Sequence, residues 1–467
     1  MLQFCSNILR SFATDAYKVS HFLQLPKNTQ AVRFYIAPRH ALRPENNNYI
    51  VFGIRYFIEK YLKTPISYQD IEETKKIWES FNLGGISSTF PEKDFKKIIS
   101  KYKGFLPIKI VGVKEGTILN KYNIPIFIIS VDDPDLVWLP GFIETALQRS
   151  IWYPSTVATI SYNVKQELLK AYKISVSTNN YENIKYQLHD FGARGASSGE
   201  SAGIGGLAHL LNFMGTDTME AVYLGNKLYE IPIKELACSI TASEHSTVTS
   251  WGNKHVGERD SLLNIIDICK QHGDHIFAFV SDSYDYFYTI DKLWGDPEII
   301  KAIQDAKLSP IVRPDSGDPV EVVLYALDSL SKSWGYTTNN KGYKVLNTIR
   351  IIQGDGMNID RITTLINKII EHKYSVENVS FGMGGGLLQN LNRDSMSWSM
   401  KMYKLKQNNE WRDIQKNPLT QQEKASYNPQ NIVDDSEWVT HYQWNNILLE
   451  PIIYIESFQD IRKRTQT

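Results

Sequence analysis

Several short apolar runs of the sequence end in charged residues that could do chemistry together. His245 follows one run, in SEH, and Asp282 follows the next, in VSDSYD. A carboxylate beside an imidazole fixes its tautomer and raises its basicity. Arg313 and Asp315 lie two residues apart in RPDSG, so both can point the same way from a strand end. Two interpretations stay open for them: an internal salt bridge, or a ligand clamp with Asp315 near a metal-bound pyrophosphate.

Two glycine-rich turns have the composition of a phosphate site. They are QGDG at 353–356 and GMGGG at 382–386, and Arg393 follows them. Glycines allow backbone N–H groups to approach phosphate oxygens closely, and arginine binds phosphate bidentately. One such turn alone is weak evidence. Two in succession, with an arginine nearby, indicate a phosphate site.

These residues lie at the ends of strand-like runs that recur through the middle of the chain. Helix-like segments such as Asp360–His372 separate several of the runs, and strands that alternate with helices are parallel. Seven such units predict a closed or nearly closed α/β barrel, in which the carboxyl-end rim carries the active site. Gly and Asp can also simply turn the chain after a strand, but repeated His, Arg and Asp at this rim favour function. The runs are 186–192, 212–218, 237–245, 276–285, 310–317, 349–356 and 378–386.

The flanking regions predict a second, mixed α/β domain. Clusters of β-branched and aromatic residues predict three strands, and apolar positions three and four apart predict three helices. Residues 391–467 lose the strand–helix alternation, and we expect them to pack back on the N-terminal region. The predicted strands are Val32–Ala37, Pro107–Val113 and Ile124–Val131, and the predicted helices are Tyr49–Leu62, Ile71–Phe81 and the connecting helix Ala158–Tyr172.

The predicted fold is therefore an irregular parallel α/β barrel plus a discontinuous mixed α/β domain built from both chain ends. We place the N-terminal part of the mixed domain at 1–180, the barrel at 181–390 and the returning part at 391–467.

Composition excludes several classes of protein. Lys plus Arg and Asp plus Glu both number 51 in 467 residues, and no basic stripe is evident, which argues against nucleic acid as a partner. The three cysteines, Cys5, Cys238 and Cys269, lie too far apart for a disulfide scaffold or a zinc site and favour a reducing, cytoplasmic compartment. We also expect no signal peptide and no membrane span.

Taken together, the motifs resemble those of the nicotinamide phosphoribosyltransferases. The resemblance runs from about residue 12 to about residue 425, with matching order and spacing. It is weaker in the tail beyond. The motifs are TDAYKVSH (14–21), WYPSTVAT (152–159), HDFGARGASSGESAGIGG (189–206), GTDT (215–218), SEHST (243–247), SDSYD (281–285), RPDSG, QGDG and FGMGGGLLQNLNRD (381–394).

The resemblance implies a reaction and its partners. Enzymes of this family join nicotinamide to phosphoribosyl pyrophosphate with Mg²⁺, giving nicotinamide mononucleotide and pyrophosphate for NAD salvage. They are homodimers that share their active sites between subunits. ATP phosphorylates a histidine at the position of His245, and this coupling makes synthesis more favourable.

The resemblance also assigns residues to the base. Phe191 and Tyr17 would sandwich the nicotinamide ring, with Tyr17 supplied by the other subunit. Asp217 would accept a hydrogen bond from the carboxamide N–H, and Arg313 would contact the base and the ribose phosphate region. Ala193 departs from the family, because an aromatic residue is usual at its position, so the lining of the pocket differs there.

The remaining implied residues serve the phosphates. Arg194 and His245 would contact pyrophosphate, and Asp315 and Asp282 would serve the ribose–pyrophosphate and Mg²⁺ side. The ribose and 5′-phosphate would be held by Gly354, Asp355, Gly384 and Gly385, with Arg393, Ser399 and Lys401 of the partner subunit and two further matching lysines, Lys416 and Lys424.

Two other functions stay open for this sequence. A nicotinate phosphoribosyltransferase on the same fold is the nearest alternative, and a non-catalytic binding or signalling member is the second.

GASSG at 195–199 fits G-x-S-x-G, but a serine hydrolase of that type needs the order Ser, acid, His, and His245 precedes Asp282. No Walker loop or GxGxxG occurs. VDDP in 126–135 resembles the acidic pair of flavodoxin-like phosphoribosyltransferases, but LVWLPG follows it where their phosphate loop should be.

Overall fold

The chain divides into two compact units. The computed structural model describes residues 6–81, 84–85, 89–178, 181–430 and 434–466. Unit 1 comprises the described residues up to Thr159, the segment 227–231 and the described residues from Leu391 onward. Unit 2 comprises residues 160–226 and 232–390 in the described part. The domain limits predicted from the sequence, near residues 180 and 390, stay predictions.

Unit 1 is built on a seven-stranded antiparallel sheet to which both ends of the sequence contribute. The three strands predicted in the N-terminal region form its centre, and four strands from the C-terminal region complete it, as expected for a discontinuous domain. Val32 and Ile36 are fully buried on the strand Thr29–Ala37 and pack in the main core of the unit. The order across the sheet is Glu410–Asp413, Ser399–Gln407, Thr29–Ala37, Phe127–Val131, Lys109–Gly112, Val439–Asn445 and Glu450–Ile453.

Helices cover this sheet, and one of them begins later than predicted. The predicted helix Tyr49–Leu62 begins only at Ile54, because Tyr49–Ile50 pairs as a short strand with Ile118–Leu119. The cause is visible in the sequence, since residues 49–52 are apolar on every face and are all buried. Gly53, with φ of 110°, then turns the chain into the helix. The helical segments are Ala16–Leu23, Ile54–Phe57, Ile58–Leu62, Tyr68–Phe81, Glu92–Tyr102, Leu139–Ser175, Arg393–Ser395, Gln422–Lys424 and Phe458–Arg464.

Unit 2 contains a seven-stranded parallel sheet that curls toward a barrel. All seven strands were predicted from the apolar runs, so the predicted fold class is confirmed. The curled sheet is closed by Cys238, whose N–H donates to Met214 O (2.8 Å) and whose carbonyl accepts from Thr216 N (3.1 Å). The order of the strands is Gly215–Thr216, Leu188–Asp190, Val379–Met383, Arg350–Gln353, Ser309–Arg313, Ile276–Val280 and Thr241–Ala242.

The loops that follow these strands also begin helices. Asp318 accepts hydrogen bonds from Val320 N and Glu321 N at 3.0 Å each, and Pro319 begins the helix behind it. Some of the polar residues at the rim are therefore helix caps. The helical segments of unit 2 are Glu182–Tyr186, Ala193–Gly195, Gly199–His209, Met219–Tyr229 (its end in unit 1), Ile233–Leu236, His245–Thr249, His255–His272, Tyr286–Tyr288, Thr289–Leu293, Pro297–Asp305, Pro319–Ser333, Ile359–Glu371, Val376–Asn378 and Gly385–Leu388, and a hairpin joins Tyr336–Thr338 to Lys344–Leu346.

The structure also describes the character of the helices and the state of two of the three cysteines. Among the described residues, no helix has the length and apolar character needed to cross a membrane. Cys238 and Cys269 are free thiols, and Cys5 lies outside the described residues.

Candidate active site

A pocket of about 590 Å³ lies at the carboxyl ends of the parallel strands of unit 2. It contains nine of the residues that the sequence pointed to, drawn from five of the seven strand ends. These are Phe191, Arg194, Asp217, Arg313, Asp315, Gly354, Asp355, Gly384 and Gly385, and they line the pocket together with Ala193, Thr218, Gly356, Met357, Asn358, Gly386 and Asn390.

The ring of Phe191 forms one wall of the pocket and depends on two glycines. A Cβ at Gly382 would lie 2.1 Å from Phe191 Cε2, and one at Gly354 would lie 3.1 Å from the same atom. The backbone of Phe191 is fixed by donation from its N–H to Met383 O at 3.0 Å. The guanidinium of Arg313 lies 5.7 Å from the centre of the ring. An aromatic face and a cation thus share one corner of the pocket.

Arg313 and Asp315 form a salt bridge within the pocket wall. Arg313 Nη2 donates to Asp315 Oδ1 at 2.8 Å, and both side chains remain about a quarter exposed. The Nε of Arg313 is buried and has no hydrogen-bond partner among the described residues. The two interpretations of RPDSG are therefore compatible, because the bonded pair still faces the pocket.

His245 is held between two carboxylates. Its Nε2 lies 3.0 Å from Asp282 Oδ1, and its Nδ1 lies 3.8 Å from Asp315 Oδ2. Ser316 Oγ donates to the other oxygen of Asp282 at 2.5 Å. The Asp282 side chain is 4% exposed, whereas that of His245 is 47% exposed. Asp282 therefore fixes the orientation of the imidazole, while the exposed part of the ring remains accessible, as a group that reacts with a ligand must be.

Asp217 presents its carboxylate to the pocket from the loop after Gly215–Thr216. Its backbone N–H donates to Asp190 O at 3.0 Å, and Ser239 Oγ donates to its Oδ1 at 2.6 Å. The loop is thus fixed through both its backbone and its side chain.

Asp190 is a residue that sequence analysis missed. It is fully buried, and its Oδ1 accepts from Gly192 N at 2.8 Å, which fixes the turn after Phe191. Burial raises the pKa of this carboxyl to about 6, against the opposing effect of the hydrogen bond from Gly192. A carboxylate inside the apolar run YQLHDFG was the signal that could have identified it.

The other predicted site residues lie in unit 1, where several cations gather. Burial lowers the pKa of the Lys401 ammonium, and the positive charges of Arg39, Lys416 and Lys18 lower it further, while Glu144 opposes them. Such a concentration of positive charge suits an anion. Arg39 was not singled out from the sequence, because it follows the strand Thr29–Ala37 and comes near Lys401 only through the pairing of that strand with Ser399–Gln407.

The remaining residues of unit 1 differ in their surroundings. Ser399 Oγ is buried and has no hydrogen-bond partner among the described residues. Arg393 pairs with Asp394 at 3.0 Å, and Lys424 ends a short exposed helical turn. Tyr17 is 65% exposed, and the centres of the Tyr17 and His21 rings lie 5.2 Å apart in an edge-to-face arrangement. An aromatic side chain this exposed is available for a ligand or a partner chain.

Comparisons with known proteins agree with this fold. A family model described as "Nicotinate phosphoribosyltransferase (NAPRTase) family" matches residues 186–445, and one described as "Nicotinamide phosphoribosyltransferase, N-terminal domain" matches residues 7–110. The chain therefore belongs to the type II phosphoribosyltransferases, in the family of nicotinate and nicotinamide phosphoribosyltransferases.

Within this family the chain is similar to proteins named nicotinamide phosphoribosyltransferase. It is 38% identical to one from Xanthomonas campestris pv. campestris, over 91% of this chain and 87% of the relative. It is 28% identical to one from Mycoplasma pneumoniae, over 89% and 93% of the two chains. The resemblance inferred from the motifs is confirmed.

Two solved structures share the fold. One is described as nicotinate-nucleotide pyrophosphorylase from Pyrococcus furiosus, with a TM-score of 0.57, 13% identity and coverage of 100% of this chain and 97% of that one. The other is described as human nicotinic acid phosphoribosyltransferase, with a TM-score of 0.56, 13% identity and coverage of 97% and 93%.

Proposed function

We propose that this protein transfers the 5-phosphoribosyl group of phosphoribosyl pyrophosphate to nicotinamide, giving nicotinamide mononucleotide and pyrophosphate for NAD salvage. The observation that carries the proposal is the 38% identity, over 91% of the chain, to a protein named nicotinamide phosphoribosyltransferase. The pocket supports it, because an aromatic face, a carboxylate and a phosphate-type glycine rim converge there.

The base end of the pocket is formed by Phe191 and Asp217. The ring of Phe191 offers a flat apolar face on which the pyridine can stack. Asp217 accepts a hydrogen bond from the carboxamide N–H of nicotinamide. Arg313, beside the ring of Phe191, reaches the side of the base and the ribose phosphate region.

The phosphate end stabilises charge as the bond breaks. Pyrophosphate leaves C1 of the ribose while positive charge develops on the sugar, and the pyridine nitrogen attacks from the opposite face. Arg194 provides positive charge for the leaving oxygens, and the N–H groups around Gly354, Gly384 and Gly385 hold the 5′-phosphate in place. Little acid–base catalysis is needed, since the nucleophile carries no proton on the attacking nitrogen.

Mg²⁺ fits this site as an ion bound jointly by a protein carboxylate and the phosphates of the substrate. No group of three or more His, Cys, Asp and Glu that could hold a metal occurs in the described part of the chain. Mg²⁺ is commonly bound by one or two carboxylates plus substrate phosphates. Asp315 suits this role better than Asp282, because both oxygens of Asp282 are already hydrogen bonded. When bound, Mg²⁺ would neutralise charge on the leaving pyrophosphate.

His245 is proposed to accept the γ-phosphoryl group of ATP. Replacing it with alanine should abolish the stimulation of turnover by ATP and leave basal synthesis, because the groups that stabilise pyrophosphate remain. Initial rates of nicotinamide mononucleotide formation with and without ATP measure this, together with ³²P transfer from γ-labelled ATP to the protein.

The matched control for this experiment is His372→Ala. His372 is exposed at the end of the helix Ile359–Glu371, and its ring nitrogen Nδ1 lies 2.9 Å from Lys368 O. Full ATP stimulation in His245→Ala would show that the coupling role is wrong.

A homodimer with shared active sites is also proposed. By family resemblance, the partner's pocket is completed by four residues of unit 1, namely Tyr17, Arg393, Ser399 and Lys401. Tyr17→Ala and Asp217→Ala subunits should each be inactive. A two-fold dimer formed from one of each contains one intact site. Random mixing should therefore restore about a quarter of wild-type activity.

The mixing experiment needs proof that subunits exchange, for example by native mass spectrometry of differently tagged chains. No restored activity after demonstrated exchange would contradict the shared site. The cytoplasmic location expected from cysteine usage remains a prediction that localisation in cells would test.

One assay separates the proposed function from its alternatives. The protein is incubated with phosphoribosyl pyrophosphate, Mg²⁺ and either nicotinamide or nicotinate, with and without ATP, and the mononucleotide is identified by mass spectrometry. Formation of nicotinamide mononucleotide supports the proposal. Nicotinate mononucleotide as the main product would favour the nicotinate alternative, and no product from either base would favour the non-catalytic one.

A further inference from the structure

Ser239 contacts the pocket residue Asp217 without belonging to the described pocket lining. Its hydroxyl donates to Asp217 Oδ1 at 2.6 Å. Hydrogen bonds to an ionised acceptor are about twice as strong as neutral ones. No hydrogen bond from the described residues reaches the second oxygen of the Asp217 carboxylate, so that oxygen can accept one from a ligand.

The closure of the curled sheet places Ser239 beside Asp217. Cys238 pairs with both Met214 and Thr216 through its backbone, so the residue after Cys238 comes to lie next to the residue after Thr216. On its other side, Asp217 N donates to Asp190 O. The backbone of Asp217 is thus held by a neighbouring strand, and its side chain is held by Ser239.

We propose that Ser239 is a positioning residue that determines the preference for nicotinamide. It orients the Asp217 carboxylate before the base arrives, so that one oxygen faces the carboxamide N–H. The inference rests on the proposed function. Without the hydroxyl, the carboxylate rotates about its Cβ–Cγ bond, and binding the base has to fix it. If Ser239 acts through Asp217, loss of its hydroxyl weakens the binding only of bases that donate an N–H to the Asp217 carboxylate.

The test compares Ser239→Ala with Ser239→Thr, which keeps the hydroxyl. In Ser239→Ala we expect the KM for nicotinamide to rise roughly tenfold, since a hydrogen bond to a charged group is worth about that factor. The kcat should change less than about twofold, because the groups that stabilise the leaving pyrophosphate are untouched. Ser239→Thr should restore the KM to near the wild-type value.

A matched control and a probe ligand separate orientation from general damage. Ser329 Oγ also donates to an aspartate, Asp291, at 2.6 Å, but on the helix Pro319–Ser333 and away from the pocket lining, so Ser329→Ala should leave the KM unchanged. 3-Acetylpyridine has the shape of nicotinamide but no amide N–H. Its inhibition constant should be the same in wild type and Ser239→Ala.

A double-mutant cycle decides whether Ser239 acts through Asp217. In an Asp217→Ser background, adding Ser239→Ala should have no further effect on the KM for nicotinamide. An undiminished effect in that background, or an equal loss of affinity for 3-acetylpyridine, would overturn the proposal.

The outcome is distinguishable from failure of the proposed function. If the wild type makes nicotinate mononucleotide preferentially, the proposed function fails, and the positioning role fails with it. If the wild type prefers nicotinamide and Ser239→Ala leaves the KM unchanged, the function stands and only the role of Ser239 is wrong.

Discussion

The protein is expected to use nicotinamide at least about a hundredfold better than nicotinate, measured as the ratio of the two kcat/KM values. The two bases have nearly the same shape and differ in a neutral amide against a carboxylate. An ionised Asp217 accepts the amide N–H but repels a carboxylate at the same distance. Like charges placed together in an interface cost several kcal/mol, and each 1.4 kcal/mol is about tenfold.

Asp217→Ser tests the source of this preference, because it removes the charge. Use of nicotinamide should fall, and use of nicotinate should rise relative to it. Asp291→Ser is the matched control, since Asp291 also accepts a serine hydroxyl but does not line the described pocket. An unchanged ratio in Asp217→Ser would mean that Asp217 only caps the turn after NFMGTDT. A wild type that prefers nicotinate would favour the alternative function.

Gly382→Ala is expected to lower kcat/KM for nicotinamide on the order of a hundredfold, the loss that a displacement of about 1 Å can cause in a positioned site. The added Cβ would lie 2.1 and 2.3 Å from two carbons of the Phe191 ring. The backbone of Phe191 is bonded to Met383, so the ring itself has to move out of its stacking position. The measurement is a kinetic comparison with the wild type, supported by calorimetric binding of nicotinamide.

The control for this substitution is Gly199→Ala. Gly199 is the first residue of its helix, and a Cβ there would lie 3.8 Å from Glu220, which is an ordinary van der Waals contact. That variant should keep its activity and fold with unchanged or slightly higher stability. Wild-type nicotinamide affinity in Gly382→Ala, with the protein folded, would show that the ring of Phe191 does not bind the base.

The barrel could be predicted from the sequence because its signal is local. Each buried parallel strand is a short apolar run, and each run ends where polar residues begin, so all seven strands were located correctly. The same logic found the pocket, since the carboxyl ends of parallel strands meet at one rim. The order of strands in the antiparallel sheet could not be predicted. Thr29–Ala37 pairs with Ser399–Gln407, and no local pattern specifies a partner so distant in the sequence.

The residues that sequence analysis missed act through tertiary contacts. Ser239 and Asp217 are 22 residues apart and meet only because the curled sheet closes. Arg39 follows the strand Thr29–Ala37 and comes near Lys401 only because that strand pairs with the distant strand Ser399–Gln407. The incorrect start of the helix at Tyr49 has a related cause, since a segment buried on all sides lacks the periodicity that distinguishes a strand from a helix.

The discontinuity of unit 1 affects the order in which the protein can fold during synthesis. The parallel strands of unit 2 lie between Leu188 and Met383, so the barrel can complete its sheet while the ribosome is still adding residues. The strand Thr29–Ala37 emerges much earlier, but its neighbour Ser399–Gln407 is made only afterwards. Domains usually fold from the N-terminus onward as they are made. Here one edge of the strand Thr29–Ala37 stays unpaired, and open to misassociation, until Ser399–Gln407 has been made.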